Sequence, residues 1–366
     1  MTYKRFTRTI VLYSFTIFLV NVILWNTLTV KVFEQEEISG HGDLARLGYF
    51  KVTPAITKQR EKSNFTHIEF TDYLKSSSCS QPIDILTIGD SFFAGVGGAY
   101  FQDILASDYK YNVLNVGTMP DYNALEMVAV LLNSGYLDRI APKVIIVESV
   151  ERECIKRYGE RVDFKSSKYQ VSKEQIDKYF TQKSIIKPNT NSIFDARMYE
   201  ANRKYLTSMF NMLTNKGNLT YMVNYAKLTK PLFSNPGQET LLLYYYEDER
   251  NIKNTNEQKV QNVNNNLNAV SEMLGNKKIQ LAFLLAVDKY DLYSKFIANK
   301  GITVNPLFLN MRELDKKYIF IDTKDILDQE VTKGEKDIYW LDDTHWTWKG
   351  QEKVAKGLSD ALGLLK

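Results

Sequence analysis

One histidine near the C-terminus has neighbours suited to acid–base chemistry. The chain contains only three histidines in 366 residues, and His345 stands in the stretch WLDDTHWTWKG, residues 340–350. Asp342 and Asp343 precede it by three and two positions. A carboxylate beside an imidazole holds the ring in one tautomer and stabilises its protonated form, as a proton-transferring histidine near neutral pH requires. We therefore take His345 as a candidate general base, with Asp342 or Asp343 as its partner.

A serine early in the chain is placed as the matching nucleophile. Ser91 follows the mostly apolar residues 83–88 in IDILTIGDSFFAG, and such a run ended by glycine is typical of a buried parallel strand. Ser91 would then lie at the carboxyl edge of a sheet, where ligands bind. A serine hydroxyl needs a base that takes its proton as it attacks. Because His41 and His67 precede the first predicted strand, His345 is the natural base. The alternative is a Gly-Asp-Ser turn without chemistry.

Alternating strand and helix patterns connect these two segments. They predict a parallel sheet with right-handed crossovers, and hence one α/β domain. The predicted strands are residues 83–88, 110–117, 143–150, 278–287 and 317–322. The predicted helices are residues 121–136 with Asp121 as the cap, 197–215, 256–274, 290–300 and 348–365. The less regular residues 155–276 are interpreted as an insertion or cap within this domain.

The N-terminus has the pattern of a membrane anchor. Residues 10–30 carry no charge, and as a helix they would span about 30 Å, the thickness of a hydrocarbon core. Lys4, Arg5 and Arg8 precede this run, which orients the N-terminus toward the cytoplasm. No small-residue cleavage site follows it, so we expect an anchor and not a cleaved signal peptide.

This anchor defines the predicted organisation of the chain. Residues 1–30 form a cytoplasmic tail and a single transmembrane helix, residues 31–80 form a stalk and lead-in, and residues 81–366 form the catalytic domain. Everything after the anchor is then extracytoplasmic, in the periplasm or at the outer surface.

Composition and missing motifs exclude several functions. The net charge is +4, and three of these charges precede residue 9, so the remainder is nearly neutral and we expect no nucleic-acid partner. The sequence has no phosphate-binding loop, dinucleotide fingerprint or metal-spaced Cys and His cluster, so we expect neither cofactor nor metal. Cys79 and Cys154 could pair outside the cytoplasm. The predicted strands separate them by about 20 Å, whereas a disulfide needs Cα atoms about 5.5 Å apart.

These motifs resemble the SGNH (GDSL) hydrolase superfamily. The likeness is carried by Gly89, Asp90 and Ser91 near the start, by Gly117 after the second predicted strand, and by Asp-x-x-His near the end. It implies a three-layer α/β/α fold around the parallel sheet, with the backbone N–H groups of Ser91 and Gly117 in an oxyanion hole. The family's Gly-x-Asn-Asp block is replaced here by VESVERECI.

The segments VIIVESVERE, LLAVDKYDLY and DDTHW are similar to the SGNH domains of alginate O-acetyltransferases. The order of the motifs, with Ser91 first, is closer to that of anchored wall-polymer-modifying SGNH proteins and of the D-alanine transfer protein of teichoic acid modification. The likeness covers about residues 83–155 and 278–360. It favours Asp343 over Asp342 as the partner of the histidine.

The likeness also suggests two supporting residues, each with an alternative. Trp346 matches the alginate-type segment, but packing of the last helix would explain it equally. Arg152 would hold a polysaccharide hydroxyl or the developing oxyanion, or would be a solvated charge at the end of a strand. Asp90 and Asp342 are further candidates for substrate contact or support.

The function implied by the resemblance is O-acetyl transfer outside the cytoplasm. Ser91 would accept an acetyl group from a membrane-bound O-acyltransferase partner and pass it to hydroxyls of a cell-surface or secreted polysaccharide. One alternative is a carbohydrate esterase that uses the same residues with water as acceptor. Another is a non-catalytic glycan-binding assembly protein.

Overall fold

The computed structural model describes residues 2–34, 42–57, 60, 66–75, 82–93, 100–182, 196–299 and 301–363, with only the backbone of residues 30–34. The strands are β1 (Ile68–Glu69), β2 (Ile85–Ile88), β3 (Val113–Asn115), β4 (Val144–Val150), β5 (Val223–Lys227), β6 (Leu241–Tyr245), β7 (Gln280–Ala286) and β8 (Ile319–Asp322). The first helices are α1 (Tyr3–Leu24), α2 (Asp43–Gly48), α3 (Phe70–Lys75), α4 (Phe101–Ser107), α5 (Ala124–Asn133), α6 (Tyr136–Ile140) and α7 (Glu151–Tyr158). The later helices are α8 (Lys173–Gln182), α9 (Met198–Leu213), α10 (Tyr246–Arg250), α11 (Glu257–Gly275), α12 (Lys289–Tyr293), α13 (Leu307–Arg312), α14 (Thr323–Lys333) and α15 (Trp348–Leu362).

A parallel sheet of six strands forms the centre of the molecule, in the order β1-β3-β2-β4-β7-β8. All five strands predicted from the sequence are present in it. Every residue of β4 is buried, Glu148 and Ser149 included, as expected for a strand with sheet neighbours on both sides. Leu86 of β2 pairs with Leu114 of β3 and Ile145 of β4, so three apolar strands share one buried layer.

Two predicted helix boundaries are wrong. Asn123, not Asp121, caps α5: its side chain accepts the backbone N–H of Glu126, and the Glu126 carboxylate accepts that of Asn123. This reciprocal pair satisfies two donors that a helix start leaves free. The helix expected over residues 290–300 is also shorter, since α12 gives way to a 3₁₀ turn at Ser294–Phe296.

Much of the segment predicted as a stalk belongs to the folded domain. Strand β1 pairs in parallel with β3 and forms one edge of the central sheet. Leu44 of α2 and Phe70 of α3 are buried in the main core. The stalk prediction is therefore wrong for residues 42–57 and 66–75, because their apolar side chains gain more by burial in this core than by staying in water.

The predicted insertion contains a region that belongs to the sheet architecture. Strands β5 and β6 form a separate antiparallel ribbon. Helix α11, however, packs against β7 and α7 and lies on the crossover between β4 and β7. Its apolar side chains between Val260 and Leu274 include Val263, Leu267 and Val270 and are buried. The insertion between β4 and β7 therefore ends before α11, and not at residue 276 as predicted.

The N-terminal helix meets the requirements for crossing a membrane by length and composition. Within Tyr3–Thr29, a window of 18 residues has a mean hydropathy of 1.8 and is largely exposed. Helix α1 continues as a π-helix over Trp25–Glu34. Of the two cysteines, Cys154 is a free and buried thiol, while Cys79 lies outside the described residues, as does His41.

Candidate active site

Ser91, His345 and Asp343 form a chain of hydrogen bonds. Ser91 lies in the turn after β2, and His345 lies in the loop before α15. Nε2 of His345 is 2.7 Å from the Ser91 hydroxyl oxygen, and Nδ1 is 2.6 Å from the Asp343 carboxylate. The Asp343 carboxylate also accepts the His345 backbone N–H at 2.9 Å. A hydroxyl connected through imidazole to a carboxylate can lose its proton as it attacks an acyl carbon.

This chain of hydrogen bonds is open to solvent at its Ser91 end. Ser91 is exposed, so a substrate can reach its hydroxyl. The side chains of His345 and Asp343 are each only 23% exposed. Burial alone would lower the pKa of His345, but the Asp343 hydrogen bond and the charges of Asp343 and Asp43 outweigh it, so the pKa is raised. Burial acts to raise the pKa of Asp343, and the bond and charge of His345 lower it overall.

The two candidate aspartates have different partners. Asp343 contacts the imidazole, whereas the Asp342 carboxylate accepts the backbone N–H of Gly42 at 3.0 Å. A Cβ at Gly42 would overlap the Asp342 backbone carbonyl, so this close approach requires glycine. Of the two, Asp343 therefore has the geometry of a residue that orients the ring.

Asp43 is a member of the site that the sequence did not indicate. Its carboxylate accepts the backbone N–H of Thr344 at 2.8 Å and the Thr344 hydroxyl. Its own backbone N–H donates to the Asp343 carboxylate at 3.3 Å. Burial and the charge of Asp343 raise the pKa of Asp43. No local pattern marks this residue, because its partners lie about 300 positions further along the chain.

Asp43, Asp343 and His345 could together offer three ligand atoms to a cation. Asp43 already accepts a hydrogen bond from Thr344, and His345 already bonds to Asp343 and to Ser91. The geometry is therefore accounted for by hydrogen bonds within the protein.

A buried lysine holds the loop that carries His345. The ammonium group of Lys289 donates to the backbone carbonyls of Trp340 at 2.6 Å, Leu341 at 2.8 Å and Asp343 at 3.1 Å. Burial lowers the pKa of Lys289 to about 8, against the opposing charges of nearby aspartates. Lys289 belongs to the segment LLAVDKYDLY, but its role as a clamp on this loop could be seen only in three dimensions.

Asp90 supports the turn that contains Ser91. Its carboxylate accepts from the Arg157 guanidinium at 2.6 Å and the Val150 backbone N–H at 3.3 Å. Its own backbone N–H donates to Glu148 at 2.8 Å. Complete burial and the charge of Asp90 raise the pKa of Glu148 well above its usual range. Because these contacts face the protein interior, Asp90 supports the turn and is not placed for substrate contact.

A second reason for the shape of this turn is Gly89. A Cβ at this position would overlap the ring of Phe93 and the carboxylate of Glu148. Glycine therefore permits the close packing that directs Ser91 outward from the sheet edge.

Arg152 is buried among carboxylates, so of its alternatives the solvated charge at the end of a strand is wrong. Its guanidinium lies 2.6 Å from Asp288 and 3.3 Å from Asp248, and the side chain is 13% exposed. It also lies over the Tyr245 ring. Buried carboxylates need such a partner, because an uncompensated charge in the interior is costly.

The remaining predicted residues take different positions. Trp346 is 2% exposed and packs on Phe92, with ring centroids 4.6 Å apart, which favours the packing interpretation. Phe92 also packs on the His345 ring at 4.9 Å. Gly117 follows β3 at the carboxyl edge of the sheet, and its role as an oxyanion donor stays a prediction.

Comparison of the chain with protein-family models, with curated proteins and with solved structures found no match in any of the three.

Proposed function

We propose that this protein is an extracytoplasmic O-acetyltransferase that acts on a cell-surface or secreted polysaccharide. The observation that carries the proposal is the chain of hydrogen bonds from the exposed Ser91 through His345 to Asp343. The SGNH-like motifs and their order support it, and the proposed architecture is the three-layer α/β/α arrangement of that superfamily around the parallel sheet.

The proposed reaction has two acyl-transfer steps. The Ser91 oxygen attacks the acetyl carbonyl of the donor while His345 accepts the hydroxyl proton, and the leaving group departs with that proton. An acceptor hydroxyl then attacks the acetyl-serine ester, His345 removes its proton, and Ser91 recovers a proton from His345. Asp343 stabilises the imidazolium formed in each step, and the N–H groups of Ser91 and Gly117 would bind the oxyanion.

The proposed location determines the donor. Helix α1 would cross the cytoplasmic membrane once, with Lys4, Arg5 and Arg8 inside and the catalytic domain outside. Acetyl-CoA is cytoplasmic, so a membrane-bound O-acyltransferase partner would supply the acetyl group across the membrane.

Acylation of the serine is the primary test. Full-length protein treated with p-nitrophenyl acetate should gain one acetyl group on Ser91, located by peptide mass mapping. Ser91→Ala should gain none at this peptide, and Asp342→Asn is the matched control because its carboxylate does not contact the imidazole. Equal acetylation of Ser91→Ala and the unmodified protein would reject the proposal.

A carbohydrate esterase is the second candidate, and the exposure of Ser91 favours it because water can reach an acyl-serine there. Both activities use the same residues, so the acceptor has to distinguish them. Acetylated Ser91 is offered a neutral glycan oligomer in water. Acetyl-oligomer formed faster than free acetate supports the transferase, whereas acetate alone supports the esterase.

A further inference from the structure

Helix α9 carries an exposed apolar stripe. It consists of Tyr199, Leu206, Met209, Phe210 and Leu213, whose spacing places them along one side of the helix. Leu213 is 81% exposed, Leu206 59% and Phe210 56%. A surface helix normally buries its apolar side against the protein, and a contiguous exposed patch marks an interaction surface.

Helix α9 is also attached to the N-terminal helix, through buried residues of its first turns next to the stripe. The Asn202 amide donates to the Asn21 backbone carbonyl at 2.9 Å, and the Thr29 hydroxyl donates to Asn202 at 2.7 Å. Trp25 is fully buried in a small cluster with Met198. Helix α9 is therefore attached along the last turns of the apolar stretch Tyr3–Thr29, the part nearest the folded domain.

This position restricts what can cover the stripe. If α1 crosses a membrane, its last turns lie at the boundary between hydrocarbon and water, and α9 must lie at the same level.

The charges beside the stripe fit phospholipid headgroups. Arg203 and Lys204 lie on α9 and share the acidic partner Glu200, at 2.7 and 3.8 Å. Arg197 and Lys216 lie close to its ends, so basic residues outnumber Asp195 and Glu200 in this segment. Basic residues beside an apolar side are typical of helices that lie in a membrane surface. The same concentration of positive charge disfavours the packing of two copies stripe to stripe.

We propose that α9 lies at the outer surface of the cytoplasmic membrane, in the interface between lipid and water, with its stripe inserted among the lipids. The proposal requires α1 to span the membrane and does not depend on the chemistry at Ser91. With α1 it gives the domain two attachments, which restrict its rotation above the membrane.

The test measures lipid contact at two positions of the full-length protein in phosphatidylglycerol–phosphatidylethanolamine vesicles. In a Cys79→Ser background, Phe210→Cys carries an environment-sensitive nitrobenzoxadiazole label, and buried Cys154 stays unlabelled. Lys356→Cys, at an exposed position of α15, is the matched control. We expect the emission at position 210 to shift to shorter wavelength and to be quenched by lipids brominated near the headgroup, while position 356 is unaffected.

Two results would overturn the proposal. One is emission at position 210 that resembles position 356 in both wavelength and quenching. The other is a shift without quenching that disappears when the protein is diluted in lipid, which would assign the stripe to a contact with a second copy. Because neither readout uses Ser91, a failure here is distinguishable from a failure of the proposed chemistry.

Discussion

Two histidines in this protein, His67 and His345, each contact an aspartate through Nδ1 but differ in the partner of Nε2. Nδ1 of His67 lies 2.7 Å from Asp103, much as Nδ1 of His345 lies 2.6 Å from Asp343. In both cases the same carboxylate oxygen also accepts the backbone N–H of the histidine. The other ring nitrogen of His67 lies 2.8 Å from Glu69, whereas that of His345 lies 2.7 Å from the Ser91 hydroxyl.

The third partner decides what the ring can do. Burial would lower the pKa of His67, but two carboxylates raise it to about 9, so the ring stays protonated at neutral pH. A ring held between two carboxylates is a structural cation. His345 has one carboxylate in direct contact and a hydroxyl on its other side, so its neutral form can accept a proton from Ser91. An Asp–His pair is therefore insufficient to identify a base.

The largest expected effect is at the serine–histidine contact. Ser91→Ala and His345→Ala should each lower the turnover of p-nitrophenyl acetate by roughly 10⁴-fold or more, and the double variant should be little worse, since these groups act as a unit. Steady-state kinetics provide the measurement. In His67→Gln the glutamine amide can still donate a hydrogen bond to the Asp103 carboxylate, so this variant should keep most of the activity. A comparable loss in His67→Gln would contradict the distinction between the two histidines.

The carboxylate partner should matter next. Asp343→Asn should lower turnover by roughly 10³- to 10⁴-fold, because an amide favours the wrong imidazole tautomer. Asp342→Asn weakens the contact with Gly42 and the attraction to Lys289 but leaves the bond between Asp343 and His345, so it should cost less than about tenfold. The kinetic constants of the two variants decide which aspartate orients the imidazole, and circular dichroism checks that both variants are folded. The reverse order would transfer the orienting role to Asp342.

A change at Glu69 should make His67 more like His345. Glu69→Gln removes one of the two carboxylates, so the pKa of His67 should fall from about 9, as followed by NMR titration of the ring. A pKa raised by folding adds stability that is complete below the unfolded value and is lost as pH rises through about 9. The loss of stability between pH 6.5 and 9 should therefore be smaller in Glu69→Gln, measured by denaturant unfolding. An unchanged titration would show that Asp103 alone holds the proton.

The smallest expected effect concerns Asp43. Its charge helps to raise the pKa of His345, so the acidic limb of activity, which needs the neutral ring, lies above the ordinary histidine value. Asp43→Asn should move that limb to lower pH. The pH profile of kcat/KM measures this displacement, and Asp342→Asn, which changes a nearby carboxylate in the same way, is the control. A limb displaced to higher pH would contradict the assigned sign.

The sequence indicated the two ends of the proposed site better than its supports. Ser91 and His345 could be found because each stands beside a recognisable local pattern, an apolar strand run and a carboxylate pair. Lys289 and Asp43 could not be found, because each acts on backbone or side-chain groups of residues 340–344 from a distant part of the chain. His67 was misplaced in a stalk, since a strand as short as β1 leaves no periodic signal.

The sequence by itself determined five of the six strands of the parallel sheet, the apolar N-terminal helix and the short-range spacing of Asp343 and His345. These features depend on neighbours within a few residues, which periodicity and spacing record. The tertiary structure alone decided which aspartate contacts the imidazole, that Arg152 is buried among carboxylates, and that α9 runs beside α1. Such contacts join residues far apart in the chain, and their partners are selected by the path of the whole backbone and by the need to pair every buried charge.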